Sequence, residues 1–193
     1  GLWGFQGTGN GIYMANAPVI LAHLSGQGAV DWTQTLDGAA PNPLLVAGGS
    51  NAVVLGVSAS TDTLSAEQLS SFGRAGALSW TQTTQVAYPN GMFAYRLLLD
   101  PGGAPIVAGE LFGTTVTAAD GSTYTEPTPS GMGFQEFDST GHFRTVKTWN
   151  GAPADGTGGF GDVAVDSQGH VLLLGTLGSG QERSGVFFAK LAE

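Results

Sequence analysis

Cysteine is absent from this chain of 193 residues, which excludes disulfides and thiolate metal sites. Basic residues are scarce: 6 Lys and Arg stand against 15 Asp and Glu, a formal net charge of −9. Such a chain cannot build the basic face that neutralises phosphates, so a nucleic-acid partner is excluded. An anionic membrane surface is disfavoured for the same reason. Long apolar runs are missing too. The strongest, Val171 through Leu174, is far shorter than the roughly 20 residues a spanning helix needs, so membrane insertion is not expected. Charged residues make up only 11% while apolar residues make up 41%, a balance that favours a packed core over disorder. The acidity is thinly spread and is read as solubility rather than as a cation-binding surface.

What the chain has in abundance is glycine, 32 residues, many falling between short apolar runs, the mark of tight turns joining short strands. Two hairpin motifs alternate. The first reads LAHLSGQGAVDW over residues 21–32 and recurs as LSSFGRAGALSW over 69–80 and FQEFDSTGHFRT over 134–145. Gly28, Gly76 and Gly141 fall in register, and the tail FFAKLAE from Phe187 repeats the first strand. The second motif reads LLVAGGSNAVVLG over 44–56, RLLLDPGGAPIVAG over 96–109 and DVAVDSQGHVLLLG over 162–175. Two hairpins in alternation give a four-stranded antiparallel unit of about 40 to 50 residues, the size of a propeller blade. The helix propensity of residues 63–72 is set aside, because the repeat aligns that segment with a strand. Strands such as Val53-Val54-Leu55 and Leu172-Leu173-Leu174 are apolar on both faces, as strands between stacked sheets should be.

The stretch VAVDSQGHVLLLGTLGSG followed by GVFFAKL resembles the SBBP-type bacterial β-propeller repeat, through Val165, Asp166, Gly169 and Gly175 and then Phe188, Ala189, Lys190 and Leu191. The middle unit is similar through LLLDPGGAPIVAG. The first departs, carrying Ala47 where the others carry Asp, so no Asp chemistry runs through every unit. The resemblance implies an all-β propeller of about four blades, with units near 19–36 (one hairpin), 44–85, 95–149 and 162–191 (three strands). The N-terminal hairpin is expected to complete the last blade; otherwise the open edges point to self-association or to a larger ring. With Gly, Ser and Thr plentiful, Lys rare and the chain opening Gly1-Leu2-Trp3 without Met, the expectation is a trimmed product of a secreted or cell-surface bacterial protein.

Each residue that could carry chemistry also has a plain structural role open to it. Residues 156–161 spell GxGxxG, but a strand rather than a helix is expected after them, so a dinucleotide site is not. Asp155 and Asp162 lack the alternation of a calcium loop. Asp100 and Asp166 hold equivalent turn positions, expected to accept their own backbone N–H groups and to lie well apart. His23, His142 and His170 lack metal-ligand spacing, so neither metal nor cofactor is expected. Trp32 and Trp80 sit at equivalent hairpin ends, where they pack between sheets or line sugar pockets. Trp3, Phe5 and Tyr13 are placed in an irregular N-terminal stretch. The insertion over 113–133, with Asp120, Tyr124 and Glu126, is the first place to look for a contact site. The leading expectation is a non-enzymatic extracellular binding or scaffolding module with an unidentified protein ligand. A lectin-like glycan binder comes second, and a carboxylate-based glycan-processing enzyme using Asp62, Asp100, Glu110 and Asp166 third.

Overall fold

The computed structural model describes residues 2–7, 19–36, 44–48, 51–60, 64–87, 91–112, 115–117, 123–125, 130–149, 159–179 and 182–191, with side chains at a subset of these. The described residues form strands joined by tight turns, with no helix among them, and every strand pairing is antiparallel. The all-β expectation therefore holds, and residues 64–73 lie in a strand as the repeat requires. No described helix is long and apolar enough to cross a membrane.

The first sheet has three strands in the order β1 (Leu2–Gly7), β2 (Val19–Leu24), β3 (Val30–Leu36). The second is a meander of β4 (Leu44–Gly48), β5 (Asn51–Ser60), β6 (Leu64–Gly73) and β7 (Leu78–Ala87). The third takes β8 (Gly91–Leu99), β9 (Pro105–Phe112), β12 (Ser130–Phe137) and β13 (Phe143–Trp149). The intervening hairpin of β10 (Thr115–Thr117) and β11 (Thr123–Thr125) pairs with β7 instead, extending the second sheet to six strands. The fourth sheet is β14 (Gly159–Val165), β15 (Val171–Ser179) and β16 (Glu182–Leu191).

Two expectations need correction here. The segment holding Trp3 and Phe5 is not irregular: it is β1, with Trp3 opposite His23 and Phe5 opposite Leu21. Residues 3 and 5 alternate as strand residues do, and the surrounding glycines hid that pattern. Nor is closure of the last unit by the N-terminal hairpin seen among the described residues. The first and fourth sheets are separate and share no strand pairing among the described residues.

One turn recurs in five hairpins, starting at Ser25, Gly73, Asp100, Asp138 and Asp166. In each, the first residue's N–H donates to the fifth residue's carbonyl, and the fourth residue's N–H donates to the first residue's carbonyl, all at 2.8–3.0 Å. The fourth residue is always glycine with φ between 82° and 92°, a left-handed conformation that costs an L side chain about 1–2 kcal/mol. One residue beyond the turn, the β2–β3, β6–β7 and β12–β13 hairpins each carry a bulge. The extra residues are Asp31, Ser79 and Arg144. A bulge re-aims the side chain it carries.

The sheets stack in chain order, with an apolar layer at each junction. Leu21 meets Phe72 between the first and second sheets, with Trp32 and Leu36 alongside. Leu69, Leu97, Val107, Phe137 and Val146 fill the second junction. Ile106, Ala108, Phe134, Val163, Val171 and Leu173 fill the third. Strand β9 shows the logic: Ile106 and Ala108 serve one junction and Val107 the other, as period-two side chains on a doubly covered strand must. Opposite Val107 and Val146 lies Gln135. Its side chain is fully buried, and neither its amide nitrogen nor its oxygen has a hydrogen-bond partner.

Candidate functional site

The first two junctions are sealed at the turn end by tryptophan. The Trp32 indole lies against Gly76 in the next sheet, so closely that a Cβ there would fall 2.7 Å from Cδ2. Its Nε1–H donates to the Arg74 carbonyl at 2.8 Å, and Gln34 donates to the Gly76 carbonyl at 3.0 Å. On its own sheet Trp32 stacks on His23, ring centroids 5.8 Å apart, and the buried His23 Nδ1 sits 2.8 Å from Asp31. Trp80 repeats the contact one sheet on. A Cβ at Gly141 would stand 2.5 Å from its Cζ3. Glycine is thus required twice at these turns, by φ and by the ring above it.

At the third junction the register changes the chemistry. Cross-strand partners equate the pairs His23–Trp32, Ser71–Trp80 and Glu136–Thr145. Threonine therefore stands in register with the two tryptophans, and beside this hairpin a cleft of about 540 Å³ opens between the third and fourth sheets. That volume suits a ligand site. One wall is the Asp100, Pro101 and Gly102 turn; another is the turn from Ser167 to His170. Ile106, Phe134, Phe137, Val171 and Leu191 supply an apolar lining, and Glu136, Arg144 and Lys147 supply charge.

These charges are held to different degrees. Lys147 Nζ donates to Glu136 at 3.0 Å across β12 and β13. Arg144, the bulge residue of this hairpin, lines the cleft, is exposed and makes no ion pair with a described residue. On the far side Lys190 donates to Asp166 at 2.8 Å, and His170 Nδ1 lies 3.0 Å from both carboxylate oxygens. The Lys190 hydrogen bond, helped by the backbone N–H groups of His170 and Gln168, holds the Asp166 carboxyl well below the usual carboxylate range. Asp138 is lowered chiefly by the Thr140 hydroxyl, and Asp162 by the Val163 N–H and then by Arg96. Arg96 and Asp162 occupy the same repeat position in adjacent sheets and pair at 2.8 Å.

As expected, Asp100 and Asp166 cap their own turns, Asp100 accepting from Ala104 N–H and Asp166 from Gln168 and His170 N–H. Their turns do not lie well apart, however. A Cβ at Gly169 would be 3.9 Å from the Pro101 ring, because each sheet's turn rests on the one before it. Of the other residues singled out, Tyr124 lies on β11 with its side chain undescribed. Asp62, Asp120, Glu126, Asp155 and Tyr13 lie outside the described residues, as does the start of the GxGxxG segment. Its last glycine, Gly161, is the bulge of β14, where a Cβ would meet the Leu174 carbonyl at 2.8 Å. No group of three His, Asp or Glu side chains fit to hold a metal occurs among the described residues. Sequence reasoning missed Glu136, Arg144 and Lys147. The available signal was Thr145, standing in register with Trp32 and Trp80. Comparison with family models, curated proteins and solved structures finds no match.

Proposed function

We propose that this chain is a non-enzymatic binding or scaffolding module, displayed outside a bacterial cell on a β-propeller of four-stranded blades. We propose further that it takes an extended segment of a partner protein into the cleft between its third and fourth sheets. The stacking of consecutive meanders in chain order supports the propeller reading. The observation that carries the binding reading is the position of β16. It is the edge strand of the fourth sheet, and its Leu191 lines the cleft. An edge strand offers unpaired N–H and C=O groups to an incoming extended chain. Beside that edge the apolar lining receives side chains pointing inward, while the exposed Arg144 and the Glu136–Lys147 pair select polar ones. Main-chain pairing supplies affinity in such complexes and side-chain pockets supply specificity.

The test is a displayed-peptide library and a glycan array probed in parallel with the full chain. Enrichment of extended peptides that Arg144→Glu releases is the expected result. Glycan capture without peptide capture, or peptides held equally well by Arg144→Glu, would overturn the cleft reading.

A further inference from the structure

The same repeat position is treated in opposite ways along the molecule. Leu21, Leu69 and Phe134 are equivalent, facing Gln34, Gln82 and Lys147 across their hairpins. Each is covered by the following sheet, with 0%, 2% and 1% of its surface exposed. Phe188 is the fourth member: it faces Leu174 across β15 and β16 as Phe134 faces Ala108 across β9 and β12. Phe188 is 70% exposed and its neighbour Val186 is 72% exposed. Leu174 is exposed too, although its counterpart Ala108 is fully buried. The leading face of the fourth sheet is therefore a stacking surface that no described residue of the chain covers.

A matching trailing face exists on the first sheet. Phe72 and Phe137 are the residues that reach back onto Leu21 and Leu69. Their equivalent in the first sheet is Leu24, opposite Val30 as Phe72 is opposite Leu78. Leu24 is only half-buried and Val30 is exposed.

We infer that a second copy of this chain docks its first sheet on the fourth sheet of the first copy, placing its Leu24 against Phe188 and continuing the stack head to tail. The occupant follows from continuity with the junctions inside the chain. Leu21 on Phe72 and Leu69 on Phe137 are two instances of one contact, and Phe188 on Leu24 of another copy is the next. Both faces are apolar, and the surface is the kind of exposed patch that marks an association site. A head-to-tail contact either closes into a ring or runs on as an open chain. Two chains of four sheets each would make eight, within the range of known propeller rings. This docking uses the face of the fourth sheet opposite the cleft and does not depend on what the cleft binds.

The chain has no cysteine of its own, so the contact can be trapped. Leu24→Cys and Phe188→Cys are made in separate full-length chains, mixed and oxidised, beside sedimentation of the unmodified chain from micromolar to near-millimolar concentration. The expected result is concentration-dependent association, a disulfide that forms only in the mixture, and a loss of association of about tenfold or more in Phe188→Asp. Val186→Asp serves as a second variant, and circular dichroism confirms that each remains folded. A chain monomeric at every concentration, or a disulfide that forms as readily in Phe188→Cys alone, overturns the inference.

Discussion

The first two junctions and the third use one repeat to different ends. Trp32 and Trp80 each lie over a glycine of the following sheet, filling the space between neighbouring turns. At the third junction Thr145 stands at the tryptophan's register position, and a cleft lined in part by Glu136, Arg144 and Lys147 opens between the sheets. One junction of the stack can therefore stand open while its neighbours stay sealed, since each junction is energetically almost its own unit. The bulge belongs to the same contrast. At Asp31 it ties the strand to His23, whereas at Arg144 it presents an exposed cation that makes no ion pair among the described residues.

Breaking the sealed junction gives the largest effect. Trp80→Ala should cost about 3 kcal/mol in urea unfolding, the lower end for losing a packed aromatic ring. Gly141→Ala should approach that cost, because it combines a positive φ with a clash on Trp80. Gly28→Ala shares the φ but meets nothing within 4 Å and should cost only about 1 kcal/mol. Equal losses at the two glycines would mean that the ring contact contributes little. Gln135→Leu should stabilise the second junction by about 1 kcal/mol, since it removes two buried polar groups that have no partner. At the open junction, Thr145→Trp should fill the cleft and abolish peptide capture while moving the melting temperature by only about 2 °C.

Acid should separate the junctions more gently. Asp138, Asp162 and Asp166 all sit below their ordinary value of 3.8 in the folded chain. Their stabilisation is therefore fully present above pH 3.8 and is lost as pH falls from there toward the lowered folded values. Asp166→Asn should flatten that acid limb of the stability curve, measured by denaturant titration at several pH values. An unchanged limb would show that Lys190 and the turn N–H groups do not hold this carboxylate.

Much of the architecture was legible because its signals are local. Gly28, Gly76 and Gly141 in register marked hairpins, and Asp100 and Asp166 marked capped turns. Strand β1 was overlooked because only residues 3 and 5 carry its alternation. Pairing of β10 with β7, rather than within its own unit, is a tertiary choice that no residue of the insertion announces. The cleft was least legible, since it arises from two distant facts together. One is a threonine where the repeat places tryptophan; the other is a β16 edge left beside it.

The recurrent turn has a consequence for how the molecule yields. The five hairpins with this turn close through partners a few residues apart, so their formation needs little loop closure, and the slow step should be the docking of one finished sheet on the next. Drawn out from its two ends under force, such a chain should not give way all at once. It should shed sheets in sequence, with the tryptophan-sealed junctions as the strongest catches along the way.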